Sequence, residues 1–201
     1  MPRKLLSLCA LVLLAAPAGQ PVQAEPYGPT LNEAVQRYAA TRKFDKLNEG
    51  LEKEPIALRL GMNARDVERW AAQSRAYRLE SRKGSVYRFA PADPDATLFD
   101  LSFEVWLAKG EVVTIKTFNV NNFEPEADDF AGLKPLKPVR VNECWVNRNY
   151  VDPRSWENGY DFVLGTQINQ PTPEEEACMG SDRAHVVLGK PGLLYPRHVS
   201  Q

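Results

Sequence analysis

The chain of 201 residues is 43% hydrophobic and 25% charged, a composition that excludes collagen-like, disordered and multi-span membrane classes. Setting aside the first 24 residues, which carry Arg3 and Lys4, leaves 177 residues with 23 basic against 26 acidic side chains. Nucleic-acid binding therefore has no global electrostatic support, and with two histidines, and two cysteines beyond residue 24, the usual catalytic groups are scarce.

Arg3 and Lys4 form a short positive region, residues 5–16 an apolar run, and Val22-Gln23-Ala24 the small-residue approach to a cleavage site. That is the pattern of a secretory signal peptide cut before Glu25. The run of 12 residues is too short to cross ~30 Å of hydrocarbon, so no membrane span is expected. Cys9 lies inside the run behind the bulky Leu8, which argues against lipidation and for a soluble periplasmic or secreted protein. In such a compartment Cys144 and Cys178 are expected to pair. The bridge would close a loop of about 35 residues, worth roughly 3 to 4 kcal/mol on a chain-entropy account.

Thr30-Leu31-Asn32-Glu33 fits a capping box. Leu31, Ala34, Val35, Tyr38 and Ala39 make one apolar stripe behind it, predicting a helix to about Thr41. A more polar helical stretch spans residues 43–53, interrupted at Gly50 and stopped by Pro55. Asn63 is placed to cap a further helix with Val67, Trp70, Ala71 and Ser74 inward. From residue 76 the period changes to two. Tyr77, Leu79, Val86 and Phe89 flank a turn at residues 81–84, predicting a hairpin, and a Pro/Asp loop follows at 91–96. Phe99, Leu101, Phe103, Val105 and Leu107 then alternate with Asp100, Ser102, Glu104, Trp106 and Ala108. Lys109-Gly110 turns this strand and residues 111–120 return. One face of the resulting sheet is apolar, and the preceding helices are the available cover.

Residues 121–138, with an acidic run at 124–129 and three prolines, read as a loop or linker. Strands are predicted at 139–147 and 160–168, and residues 170–176 as loop or the start of a short helix. Residues 181–188 fit either a helix capped by Ser181 or a strand. The organisation expected is a leader at 1–24, a helix–helix–sheet module at 25–120, the loop at 121–138, and a β-rich half at 139–201 that holds the disulfide and is either a second domain or part of the first.

The order of two helices and three strands, with Gly61-Met62-Asn63-Ala64-Arg65-Asp66-Val67 opening the second main helix, resembles the SmpA/OmlA-type outer-membrane assembly lipoproteins and the related β-lactamase-inhibitor-protein fold. Leu101-Ser102-Phe103-Glu104 through Lys109-Gly110-Glu111-Val112-Val113 corresponds to their hairpin. The resemblance covers residues 31–119. The Leu-Gly-x-Pro usual after the helix is replaced by Ala72-Gln73-Ser74-Arg75, and the leader lacks the lipidation cysteine. What the resemblance implies is a layered helix-on-sheet module that holds another protein.

Enzymatic motifs are absent: there is no H-E-x-x-H, P-loop, dinucleotide Gly-rich loop or G-x-S-x-G elbow. His185 and His198 read as structural or surface histidines, and no spacing supports a metal site. Glu124, Glu126, Asp128 and Asp129, or Asp93 and Asp95, could serve as paired carboxylates in glycan hydrolysis. Adjacency in a Pro-rich loop does not supply the separation this needs, nor do these acids carry the spacing of a calcium loop. No cofactor is expected.

Residues 145–162 are more informative, holding Trp145, Tyr150, Trp156, Tyr160 and Phe162 with Arg148, Arg154 and three asparagines. Trp, Tyr and Arg dominate binding hot spots because they bury large areas with few rotors and keep a polar end. Arg148, Tyr150, Arg154 and Trp156, extended by Trp106, are the binding residues expected. The competing reading places these aromatics in a small core under the disulfide. The fold expected is α+β, with N-terminal helices on an antiparallel sheet and a disulfide-braced C-terminal half. The function expected is a non-enzymatic, exported, periplasmic protein that grips another protein sterically, as an inhibitor or immunity factor for an envelope or secreted hydrolase or toxin. A scaffold for outer-membrane assembly and a cell-wall hydrolase are the alternatives.

Overall fold

Residues Leu31–Tyr38 form a helix, α1, because its cap and its stripe agree. Thr30 Oγ1 accepts from Glu33 N at 3.1 Å and the Glu33 carboxylate accepts from Thr30 N at 3.0 Å, closing the expected capping box. Leu31, Ala34, Val35 and Tyr38 are all buried. Helix α2, Ala64–Gln73, starts on Asn63, whose side chain accepts from Asp66 N. Its Trp70 lies 5.3 Å, edge to face, from Phe89 and 5.9 Å from Phe103. The computed structural model describes residues 27–38, 51, 55–93, 102–118, 130–140, 144–169 and 183–192. Of the helix predicted at 43–53, only Leu51 lies among them, helical and buried.

The strands are β1 (Tyr77–Lys83), β2 (Val86–Pro91), β3 (Ser102–Ala108), β4 (Glu111–Phe118), β5 (Lys134–Pro135), β6 (Val139–Arg140), β7 (Trp145–Val151), β8 (Asp161–Asn169) and β9 (Arg183–Gly189). They form one sheet in the order β1-β2-β3-β4-β9-β8-β7-β5, with β6 also on β7. Each of its strand pairs is antiparallel. The β1–β2 hairpin turns two residues later than predicted, at Gly84-Ser85, and a register shift between Leu79 and Ser81 kinks β1. Lys109 and Gly110 both take positive φ, 53° and 83°, the tight turn that suits a right-twisted hairpin. The start of α2 is laced to that hairpin: Gly61 N donates to Val112 O, Val112 N to Met62 O and Ala64 N to Gly110 O, at 2.8 to 3.0 Å.

On the helix side of the sheet, Tyr87, Phe89, Phe103, Val105, Ile115, Phe162, Leu164, Val186 and Leu188 form one core with the buried residues of α1 and α2. Each side chain of this size buried from water stabilises the fold by about 1.5 to 3 kcal/mol. The opposite side has a smaller cluster of Val151, Val163 and Val187, with Leu136 against it.

This architecture corrects the expected fold. Among the described residues the protein is mostly antiparallel sheet with few short helices, one continuous sheet rather than a helix-covered module beside a braced β-rich half. Residues 183–189 are strand, and β9 pairs with both β4 and β8, so the same sheet runs through both halves of the chain. Part of the expected linker, β5, is also strand. The expected disulfide brace is not among the described contacts: no bridge closes between two described residues. Cys144 is disulfide-bonded, but Cys178 lies outside the described residues. What joins this half among the described residues is the ladder of seven residue pairs between β7 and β8 and seven more between β8 and β9.

Candidate functional site

The turn from β7 to β8 is a 3-10 helix, Pro153–Asn158, fixed at both ends. At its start the Asp152 carboxylate, 1% exposed, accepts from Arg154 N at 3.0 Å, and from Arg154 Nε at 3.0 Å and Nη2 at 2.6 Å. Asp-Pro places an acceptor and a preset φ together, which is why the sequence turns here. Buried Ser155 donates its hydroxyl to Asp152 O at 2.6 Å and accepts from Phe162 N at 3.0 Å. At its end Gly159 is left-handed, φ 75°, which glycine adopts without a Cβ clash. On the helix side, Asn158 Nδ2 donates to Tyr38 Oη at 2.9 Å, and the Arg154 guanidinium lies 5.4 Å from the centroid of the Tyr38 ring.

Trp156 is held out from this turn, 44% exposed, one of two large apolar side chains so exposed among the described residues. Lys134 Nζ sits 4.9 Å from its ring centroid, within cation–π range. The Trp156 side chain also hydrogen-bonds the Asp161 carboxylate, which accepts from Gly192 N at 3.3 Å. Burial pushes Asp161 up, and these two donors hold it back.

Of the five binding residues expected from the sequence, Arg148, Arg154 and Trp156 are exposed and Tyr150 is half-buried. Tyr150 stacks on Phe130 at 4.2 Å and packs against the main core. Tyr150 and Arg154 lie on the helix side of this corner of the sheet and Trp156, with Lys134, on the other, while Arg148 precedes Tyr150 by two residues on β7. Trp106 does not join them. It is half-buried on β3, donating to Glu104 Oε2 at 3.2 Å, four strand spacings from β7, about 19 Å at ~4.8 Å each. Of the other aromatics in residues 145–162, Tyr160 and Phe162 are buried, whereas Trp145 is half-buried.

A second polar arrangement lies inside the sheet, on the side of Val163. His185, Gly165 and Asn149 are direct cross-strand neighbours on β9, β8 and β7. Across the glycine, His185 Nε2 and Asn149 Oδ1 hydrogen-bond at 2.7 Å. A Cβ at Gly165 would overlap both atoms, so a glycine within the strand marks a close approach. Burial, and then the charge of Lys116, pushes the His185 imidazole down to about 3. Lys116 on β4 is itself lowered by burial, against the opposing pull of Glu104, its cross-strand partner. The His185 partner is an amide, with neither a nucleophile nor a carboxylate on that bond. This is a neutral imidazole used to satisfy a buried strand.

The sequence reading missed Asp152 as an anchor, Lys134 as a neighbour of Trp156, and the His185–Asn149 pair. Gly165 inside an apolar strand was the available signal for the last. Asp93 is exposed, while Asp95, His198, the acids of 124–129 and the leader lie outside the described residues. Among the described residues no group of three metal-ligating side chains is present, and no helix is long and apolar enough to cross a membrane. The β-rich fold by itself shows neither an inhibitor nor an immunity role. No family model, no curated protein and no solved structure matches the chain.

Proposed function

We propose that this chain is a non-catalytic module that binds another protein through the corner formed by Trp156, Arg154 and Tyr150. The observation that carries this reading is the exposed indole of Trp156, kept in place by Lys134 and by a turn fixed at both ends. An apolar ring held rigid in water loses little entropy when a partner covers it, and such rings centre binding hot spots. The Asp152 clamp supports it further, because Arg154 is pre-set rather than free to search. Placement outside the cytoplasm rests on the leader pattern of residues 1–24, and cell fractionation tests it.

A photo-crosslinking residue at position 156 tests the binding surface, with the equally exposed Leu79 as the comparison site. One discrete adduct in cell extract from position 156 and none from position 79 is the expected result. Equal labelling from both positions, or no adduct, would reject this surface.

A further inference from the structure

Beside Trp156 the outermost segment of the sheet reads Lys134-Pro135-Leu136-Lys137-Pro138-Val139-Arg140, a basic residue, a proline and an aliphatic residue in succession. Leu136 turns inward against Val151, Val163 and Val187, and Leu136 N donates to Asn149 O at 2.8 Å. The register to β7 slips by one residue between Pro135↔Tyr150 and Val139↔Asn147, so the segment is a broken edge. Pro135 and Pro138 have no N–H to offer, which blocks pairing with an added strand. Exposed charge remains: Lys134, Lys137 and Arg140 along the edge, with Arg148 on the strand behind it.

The opposite edge of the sheet is different. There Arg88 pairs with Glu80 at 2.8 Å and Arg82 with Glu68 at 2.9 Å, which leaves exposed Arg78 and Lys83 spread among acids rather than gathered beside an exposed indole. Among the described residues, Lys134, Lys137 and Arg148 have no ion-pair partner. Of the acids within the described residues 130–161, Asp152 is buried under Arg154, Asp161 is 8% exposed, and Glu157 is exposed. Among the described residues, Lys134, Lys137 and Arg148 thus leave positive charge exposed over about 10 Å of this edge, with Glu157 the exposed acid of the neighbouring turn.

Building on the binding reading above, we infer that the partner presents an acidic, extended segment that lies along Lys134, Lys137 and Arg148 and ends against Trp156. The edge steers and orients such a segment through charge, and the indole supplies the apolar anchor.

The test uses the full chain with short poly-L-glutamate as probe, and heparin as a sulfated polymer of like charge. Poly-L-glutamate is expected to bind at low salt and to be released as salt rises. The variant K134Q/K137Q/R148Q, with an unchanged thermal midpoint, is expected to bind it about tenfold more weakly. No binding of poly-L-glutamate, equal binding by the variant, or binding of heparin alone would overturn the acidic-segment proposal. The crosslink from position 156 separates the two readings: if it persists in the triple variant and in high salt, the binding surface stands and the charged edge falls.

Discussion

The hydroxyls of Tyr38 and Tyr160 lie 3.2 Å apart, joining the end of α1 to the turn that carries Trp156 across a separation of 122 residues. Both rings are buried, and they meet edge to face at 5.9 Å. Burial, followed by the hydrogen bond to Tyr38, pushes the Tyr160 hydroxyl well above its usual range, so it remains a donor. Tyr38→Phe removes the acceptor of Tyr160 and Asn158 while keeping the ring. It should lower stability by about 1 to 2 kcal/mol. A double-mutant cycle with Tyr160→Phe, measured by urea unfolding, should show coupling of at least about 0.5 kcal/mol; additive losses would mean the hydroxyl contact contributes nothing.

Arg154 and Trp156 should separate in their effects. Arg154→Ala leaves the Asp152 carboxylate, 1% exposed, without its guanidinium. Because Arg154 is half exposed, the loss is discounted for solvent to about 1 to 2 kcal/mol. Trp156→Ala, which also removes a donor to Asp161, should lower stability by about 1 kcal/mol, while abolishing the adduct of a crosslinker placed at the exposed position 157. A large stability loss in Trp156→Ala would make the indole a structural residue.

Gly165→Ala should be among the most damaging single-methyl changes in the protein, since the added Cβ overlaps His185 Nε2 and Asn149 Oδ1. A cost of about 2 to 4 kcal/mol is expected. Shortening the opposing side chain should recover part of it, so Gly165→Ala combined with His185→Ala is expected to unfold at a higher urea concentration than Gly165→Ala alone.

His185 links stability to acid. Its imidazole is held down to about 3 in the folded chain, against 6.5 unfolded. Below 6.5 the unfolded chain takes up a proton that the folded chain refuses. The contribution is therefore intact above 6.5 and falls as pH drops toward 3, by about 1.4 kcal/mol per pH unit. Between about pH 7 and pH 5 the wild type should lose about 2 kcal/mol more than His185→Gln in urea unfolding. Equal losses would show that the imidazole titrates normally in the fold.

The sequence revealed what is local. The Thr30–Glu33 box, the Asn63 cap and the strict alternation of Phe103, Val105 and Leu107 each depend on neighbours within a few residues, and each is present. Pairing over long separations was not legible: nothing in residues 183–189 announces that Leu188 will face both Ile115 and Phe162. The stretch 134–140 was hidden because its prolines signal a loop, although edge strands tolerate proline. Around the site, Asp152-Pro153 and Asn158-Gly159 are turn-forming pairs, and the exposure of Trp156 could not be separated from burial until the turn's direction was known.

Since β9 lies between β4 and β8, the sheet cannot be completed in the order in which the chain is made. The hairpins β1–β2, β3–β4 and β7–β8 can close as they emerge, but residues 183–189 follow them all and supply the middle of the sheet. A product that stops before residue 183 would therefore lack the keystone strand and leave the facing edges of β4 and β8 open. Such a sheet stays unfinished until residues 183–189 have been made.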